Sequence, residues 1–316
     1  MTALPRIALV GVGTMGSLHA RVIAQSQDCE LAVVIDPREE FGTAAAQKYE
    51  TTWRPELGDL SDVDAVVVAA ATEAHHQLAL DVLGQGKPLL IEKPVCANLP
   101  QTEEVLALSE KAGLPIMCGL LERYNPAVMT ALGLIDAPVH VAATRHSPYA
   151  PRIKTGVAWD LLVHDIDIAL QVFRGVEPVR VSSGIGQFHP SSVPGAEDVV
   201  EAVLTFTTGV ATVSASRIGQ RKIRTLAVYE LDRLIEVDLL SRTVTVYRNV
   251  VQDAFTPDGR GYRQQSIIEI PELVTAREPL ATQLDRFLDL IAGRVDADAE
   301  RRSILPSHRA VAAVMS

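Results

Sequence analysis

Cysteine is scarce in this chain: Cys29, Cys96 and Cys118 are the only three among 316 residues. They are far apart and odd in number, so neither a disulfide framework nor a zinc-binding spacing is present. They read as reduced core residues. Basic charge is also in deficit, with 29 Lys and Arg against 39 Asp and Glu and a formal charge of −10. Nucleic acid and anionic membranes favour a basic face, so neither is an expected partner. An anionic small substrate stays open, because a single site can be locally basic. No apolar run reaches membrane-spanning length. No charged N-terminal segment leads into an apolar run and cleavage site, so a cytoplasmic location is expected. Internal repeats and low-complexity stretches are missing too. What remains is 47% hydrophobic and 22% charged, an ordinary globular composition at a length that suggests about two domains.

The densest signal lies near the start. Ile7 to Val10 reads as a buried parallel strand, and Gly11, Gly13 and Gly16 follow with G-x-G-x-x-G spacing. That spacing serves a tight turn, close approach of a pyrophosphate to the backbone, and helix-on-strand packing. A helix from about Met15 to Gln25 would aim its first N–H groups at phosphate. Leu31 to Ile35 reads as the second strand, with Asp36 at its C-terminal end. A carboxylate there can accept both ribose hydroxyls of an adenosine and would repel a 2′-phosphate, which points to NAD. Arg38, two residues on, could pair with that phosphate and keeps NADP open.

Apolar runs then alternate with helical patterns up to about Leu121. Ala65–Ala69, Pro88–Ile91 and Pro115–Cys118 read as strands, and Ala74–Gly84 and Thr102–Ala112 as helices. This alternation predicts a doubly wound parallel sheet. After Leu121 the period changes. Val139–Thr144, Val179–Ile185, Val199–Thr207, Val210–Arg217, Ile223–Glu230, Arg233–Leu239, Thr243–Tyr247 and Ile267–Ile270 read as strands, many alternating. Thr208-Gly209 reads as a hairpin turn. A helix from about Ala158 to Phe173 is inserted, and helices return at Pro279–Ala292 and Pro306–Met315. Ser147–Thr155 reads as a loop. The expected organisation is an α/β Rossmann domain over 1–121 and an α+β domain with a large, mainly antiparallel open sheet over 122–275. C-terminal helices over 276–316 would pack back on the Rossmann domain.

Chemistry concentrates at three places. Glu92-Lys93-Pro94 follows a strand, where ligands of open α/β sheets bind. A lysine there can contact a forming alkoxide, and Pro94 fixes the turn, with a peptide bond open to the cis form. The plainer reading is a solvated lysine. The second place is the helix Trp159 to Leu170. Asp160 and His164 are four apart and share a face, and His164 can take a proton near neutral pH. Leu161, Leu162, Ile166, Ile168 and Leu170 bury this helix, so its acids need a reason. An ion cluster would satisfy them. A metal site fits less well, because adjacent residues such as His164 and Asp165 point to different faces. The third place, Arg123-Tyr124-Asn125-Pro126, falls at the join of the two halves, where clefts are common but a plain hinge is also ordinary.

The set Gly11-Val12-Gly13-Thr14-Met15-Gly16, Asp36, Glu92-Lys93-Pro94 and Asp160-x-x-x-His164-Asp165-Ile166-Asp167 resembles the Gfo/Idh/MocA oxidoreductases. The resemblance covers essentially the whole chain and extends to Glu278-Pro279-Leu280 with Phe287 in a late helix. It implies a Rossmann domain, a second domain on an open sheet, bound NAD or NADP, and hydride transfer at a sugar or polyol carbinol. The family's usual catalytic set falls on Lys93, Asp160 and His164. Glu122-Arg123-Tyr124-Asn125-Pro126-Ala127, Pro151-Arg152-Ile153 and Gly156-Val157 look like the UDP-N-acetylglucosamine 3-dehydrogenase branch. Tyr124 replaces that branch's Phe, and Ala70-Ala71 stand where relatives commonly have a proline beside Thr72. His75 lies where relatives carry a histidine, and His76 reads as a surface residue.

The expected reaction is reversible oxidation of a secondary alcohol, with NAD as cofactor and NADP open. His164 accepts the hydroxyl proton, Lys93 stabilises the oxyanion, and Asp160 orients His164 or a neighbouring hydroxyl. Residue types alone leave either Lys93 or His164 as the base. Cofactor contacts are expected from Gly11, Gly13, Thr14, Met15, Gly16, Asp36, Arg38, Thr72, His75, Glu92 and Lys93. Substrate contacts are expected from Arg123, Tyr124, Asn125, Arg152, Asp160 and His164. Arg123, Asn125, Arg152 and Lys154 place positive charge and donors suited to a diphosphate, favouring a sugar nucleotide such as a UDP-hexosamine. Inositol or a free hexose is the alternative within the family. A non-catalytic nucleotide-bound sensor is the alternative outside it, though a sensor needs none of Lys93, Asp160 and His164. Relatives are commonly dimers or tetramers, so a homodimer or homotetramer is expected.

Overall fold

A computed structural model of the chain describes residues 3–151, 153–256 and 259–316, with backbone only over 252–256 and 259–263. The chain divides into two compact units, one of residues 1–124 and 277–312 and one of 125–276 and 313–316.

In the first unit β1 (Arg6–Val10), α1 (Thr14–Gln25), β2 (Glu30–Ile35), α2 (Glu39–Lys48), β3 (Thr52–Arg54), β4 (Ala65–Val68), α3 (Thr72–Gly84), β5 (Leu89–Ile91), α4 (Leu99–Ala112) and β6 (Ile116–Cys118) follow one another. A 3-10 turn, Leu121–Tyr124, ends this stretch. The six strands form one parallel sheet in the order β3-β2-β1-β4-β5-β6. The order reverses between β1 and β4, the point where doubly wound sheets bind nucleotides. β4, β5 and β6 are buried at every position, as strands covered on both faces require. α4 shows how sequence sets an element's ends. The Asn98 side chain accepts from the Gln101 N–H at 3.0 Å, and Gly113 closes the helix at φ 65°, a conformation that costs glycine no Cβ clash.

The second unit holds α5 (Pro126–Leu134), β7 (His140–His146), a π-helical turn (Ala158–Leu162) running into α6 (Val163–Val172), and then β8 (Arg180–Gly186), β9 (Val199–Thr205), β10 (Val210–Ser216), β11 (Ile223–Tyr229), β12 (Arg233–Asp238), β13 (Thr243–Thr256) and β14 (Gly259–Glu269). These strands make one eight-stranded sheet, order β14-β13-β12-β11-β7-β10-β9-β8. Every pair is antiparallel except β7 with β10. β9 alternates buried and exposed positions, the mark of a sheet covered on one face. α5 packs on β12 and β13, and α6 on β7 and β10.

The chain then forms α7 (Pro279–Ile291), α8 (Ala297–Arg302) and α9 (Leu305–Val314). Leu280, Leu284, Phe287 and Leu288 of α7 join the first unit's core with Ile7, Leu9, Ile23 and Val67.

Several elements differ from expectation. α2 and β3 leave little trace in the sequence, because α2 buries only Gly42 and Ala46 and β3 has three residues. α5 and α8 are also additions to the expected set. β13 and β14 run well beyond the expected Thr243–Tyr247 and Ile267–Ile270, since their extensions lack an apolar alternation. The expected helix from Ala158 begins as a π turn, in which the Val163 N–H reaches back to the Ala158 carbonyl.

Candidate active site

In the first unit the expected cofactor residues gather where β1, β2, β4 and β5 end. Gly11 has φ +87° and donates its N–H to the Ile35 carbonyl at 2.7 Å. A Cβ there would stand 2.7 Å from Ala70 Cα, and one on Gly16 would stand 1.9 Å from the Gly11 carbonyl oxygen. These two glycines therefore serve packing. Gly13 differs, since a Cβ there would meet nothing within 4 Å. It caps α1, whose first turn carries no acid. An open glycine beside uncapped helix N–H groups suits an approaching diphosphate. Thr14 is exposed and Met15 half-buried at the same turn.

Asp36 is buried, at 1% exposure. Its backbone is fixed by β3. The Trp53 indole N–H donates to the Asp36 carbonyl at 2.9 Å, and the Asp36 N–H donates to the Arg54 carbonyl at 3.1 Å. Its carboxylate is already engaged. The Val12 N–H donates to Oδ2 at 2.9 Å, and Arg38 grips both oxygens through Nε at 2.9 Å and Nη2 at 2.8 Å. Burial pushes this carboxyl up, but the Arg38 and Val12 hydrogen bonds and the Arg38 charge outweigh it and hold the group below its ordinary range. The guanidinium also lies over the Phe41 ring, 4.4 Å from its centroid. The end of β2 thus presents a carboxylate and an exposed cation together.

Thr72 opens α3 half-buried. The Lys93–Pro94 peptide is cis and Lys93 is half-buried. Glu92 is buried with an oxygen 2.8 Å from His19 Nε2, and Gly119 leaves the room it needs, because a Cβ there would meet Glu92 Oε2 at 2.7 Å. His75 is 1% exposed, and its ring nitrogens face the Pro94 carbonyl at 2.9 Å and the Ala70 carbonyl at 3.2 Å. Burial pushes its pKa down against those backbone partners. His76 is only partly exposed, with Glu104 2.9 Å away. Cys29, Cys96 and Cys118 are all unbridged thiols in the interior. Burial raises Cys29 and pushes Cys96 up to about 12, so neither offers a thiolate near neutral pH.

Arg123 is occupied within the first unit. It donates to Ser303 Oγ at 2.7 Å and to the Ser303 carbonyl at 2.8 Å, with Glu300 at 3.9 Å. Tyr124 beside it packs half-buried against the same core.

In the second unit Asn125 is buried, caps α5 by accepting from the Ala127 N–H at 3.1 Å, and donates to the Leu239 carbonyl at 3.3 Å. Asn before Pro at the first helical position is a helix-start signature. Arg152 lies outside the described residues, and Lys154 is exposed.

Asp160 sits in the π turn, a feature common at functional sites. His164 follows, half-buried in the first turn of α6. Three distant residues fix this segment, and sequence reasoning missed all three. Glu197 accepts the Ala158 N–H at 2.7 Å, and Gly156 gives its carboxylate room, since a Cβ would fall 1.9 Å from Oε2. Arg217 donates to Asp160 Oδ2 at 3.0 Å and to the Thr155 carbonyl at 2.5 Å. Arg145, from β7, grips both oxygens of Asp165 at 2.7 and 3.0 Å. Asp165 is thereby committed to an ion pair. Asp167 is buried at 2% exposure. Among the described residues no three His, Cys, Asp or Glu side chains form a group that could hold a metal, and no helix is long and apolar enough to cross a membrane.

Comparison with known proteins places this arrangement. Residues 5–120 match the model of the "Oxidoreductase family, NAD-binding Rossmann fold", and residues 130–230 match the "GFO/IDH/MocA C-terminal domain". The chain is 28% identical to UDP-N-acetylglucosamine 3-dehydrogenase of Acidithiobacillus ferrooxidans, covering 91% of this chain and 88% of that one. A solved structure of that enzyme superposes with a TM-score of 0.82 at 27% identity, over 99% of this chain and 98% of that one. Inositol 2-dehydrogenase of Rhizobium meliloti is 28% identical over 95% of this chain and 96% of that one. With the family models, the dinucleotide turn and the two sheets in agreement, the chain belongs to the Gfo/Idh/MocA family and is an NAD(P)-dependent dehydrogenase acting on CH–OH groups.

Proposed function

We propose that this dehydrogenase oxidises a ring hydroxyl of a sugar nucleotide of the UDP-hexosamine class. The observation that carries the reading is the near full-length likeness to UDP-N-acetylglucosamine 3-dehydrogenase. The motif segments Glu122–Ala127 and Pro151–Val157 support it. His164 takes the hydroxyl proton. Lys93 stabilises the oxygen as charge develops on it. Asp160, its carboxylate steadied by Arg217, orients the imidazole or a neighbouring hydroxyl. The nicotinamide, when bound, supplies the hydride acceptor. Gly13, Thr14 and Met15 receive the diphosphate, and Asp36 with Arg38 reads the adenosine ribose. NAD is the proposed cofactor, because the Asp36 carboxylate is ionised and buried at that position.

One observation favours a second reading, an inositol or free-hexose substrate. The Arg123 guanidinium is held by Ser303 and Glu300, which removes it from the charges proposed to meet a diphosphate. The inositol dehydrogenase likeness is equally long. Arg123 is therefore assigned to shaping the 3-10 turn, leaving Arg152 and Lys154 as the proposed diphosphate contacts. Initial rates of NAD reduction with UDP-N-acetylglucosamine, myo-inositol and glucose decide between the two. UDP is expected to compete with the sugar nucleotide. A protein indifferent to UDP that oxidises myo-inositol overturns the substrate class and keeps the dehydrogenase. The proposed assembly is a homodimer or homotetramer, checked by sedimentation.

A further inference from the structure

We infer that three buried imidazoles, those of His19, His75 and His308, are positioning residues that hold the turn bearing Lys93. The inference rests on the proposed role of Lys93 and adds residues from three helices to it.

The need arises from the backbone. Strand pairing stops at Glu92, whose N–H donates to the Val68 carbonyl at 2.8 Å, and at Ile91, whose carbonyl accepts the Gly119 N–H at 2.7 Å. Beyond that point Pro94 has no N–H, and the turn sinks into the interior, with Pro94, Val95 and Cys96 buried. Buried backbone groups without a ladder need other partners. Imidazoles supply them directly at Pro94 and Val95, and a third imidazole holds the Glu92 carboxylate, which accepts the Lys93 N–H at 3.3 Å. His19 of α1 meets the Glu92 carboxylate at 2.8 Å. His75 of α3 meets the Pro94 carbonyl at 2.9 Å. His308 of α9 receives the Val95 N–H on Nε2 at 3.2 Å. All three rings are at most 3% exposed. Lys93 lies between the anchored Glu92 and Pro94.

The partners dictate the tautomers. An N–H donating to His308 Nε2 requires a lone pair there, so the proton sits on Nδ1 and is donated to the Ile304 carbonyl at 3.0 Å. An imidazolium at 308 would set two N–H groups against each other. His75 has a carbonyl at each nitrogen, and a neutral ring can donate to only one, the nearer Pro94. Its other nitrogen faces Ala70, the residue that packs against Gly11. The ring thereby holds the lysine turn through one hydrogen bond and lies against the glycine turn without bonding to it.

The test uses the full-length protein with UDP-N-acetylglucosamine and myo-inositol as substrates. His308→Leu removes the acceptor, and His308→Gln keeps one. In His308→Leu, amide exchange in the segment 92–97 is expected to accelerate at least tenfold while β1 and β4 stay protected. Turnover is expected to fall about tenfold, with the NAD dissociation constant within about twofold of wild type, the scale of one lost buried hydrogen bond. His308→Gln should recover turnover to within about threefold. In a Lys93→Met background His308→Leu should cost nothing further, since the two act through one group. His19→Asn tests the same clamp from α1 if His308→Leu melts too low to assay. Unchanged exchange in 92–97, or equal turnover losses with and without Lys93, overturns the inference. Full turnover in Lys93→Met overturns the role of Lys93 instead, and the exchange result then still decides whether the clamp exists.

Discussion

The two units hold their proposed catalytic residues by different means. In the first, Gly11 to Gly16, Asp36, Thr72 and Lys93 each stand within a few residues of a strand end, and the backbone does most of the shaping. Gly11 at φ +87° and the cis Lys93–Pro94 bond are backbone states. In the second, Asp160 and His164 lie on one short helical segment, yet their setting depends on charges from far along the chain. Glu197 caps the segment, Arg217 holds Asp160 and Arg145 holds Asp165. The first construction rests mainly on backbone conformation, with buried imidazoles from distant helices holding the lysine turn. The second is cooperative, so its weak points lie outside the residues proposed to do chemistry.

The sharpest test replaces one proposed reacting group in each unit. Lys93→Met and His164→Asn should each lower turnover by about 10²–10⁴-fold, the range for removing oxyanion or acid–base groups. Cofactor dissociation constants should change much less. If either variant keeps near-normal turnover, that unit has been misassigned.

Removing a distant support should separate the units next. Arg145→Met leaves the Asp165 carboxylate buried without its guanidinium and should cost about 3–5 kcal/mol, read as a lower denaturation midpoint. The double variant Arg145→Met with Asp165→Leu should recover much of that loss. A single variant as stable as wild type would show that the second unit does not depend on this pair.

A smaller effect is expected at the ribose. Arg38 is half-exposed and competes for the Asp36 carboxylate, so such a pair is worth about 0.2–1 kcal/mol. Arg38→Ala should therefore tighten NAD by at most about fivefold and weaken NADP. Isothermal titration with both cofactors checks this, and tighter NADP binding in Arg38→Ala would reverse the reading.

Acid should act most gently, and on both units. Burial raises the Asp36, Asp198 and Glu230 carboxyls, but their hydrogen bonds and arginine partners hold all three below their ordinary range. A depressed folded pKa contributes stability that is complete above the unfolded value, about 4, and is lost as pH falls through the folded one. Melting temperature should hold steady down to about pH 4 and then drop. Asp198→Asn should flatten the second unit's share of the drop. An undiminished slope would place the titration elsewhere.

The same contrast explains what the sequence reveals. Runs such as Ile7–Val10 and Ala65–Val68 are short, apolar and bounded by turns, so the parallel sheet is legible. The alternating strands β9 to β12 are legible because one face of their sheet is covered. α2 is not, since it buries almost nothing, although Trp53 and Arg54 beside it set the backbone of Asp36. The glycine turn can be placed from spacing alone. Glu197, Arg217 and Arg145 cannot, because nothing local distinguishes them from surface charges until the fold brings them to the helix. Asn125 carries two signals at once, a helix start before Pro126 and a motif likeness that points to substrate. The structure displays the first of these roles.

The three glycines of the first turn carry a practical consequence. Gly11 and Gly16 interlock with backbone, whereas Gly13 borders open space in an extended conformation that any residue adopts. Shape and room are thus assigned to different positions of one hexapeptide. A methyl at Gly13 would take up that room and leave the architecture standing. Gly13→Ala should therefore give a correctly folded protein blind to its dinucleotide, a reference against which true ligand-induced changes can be told from damage.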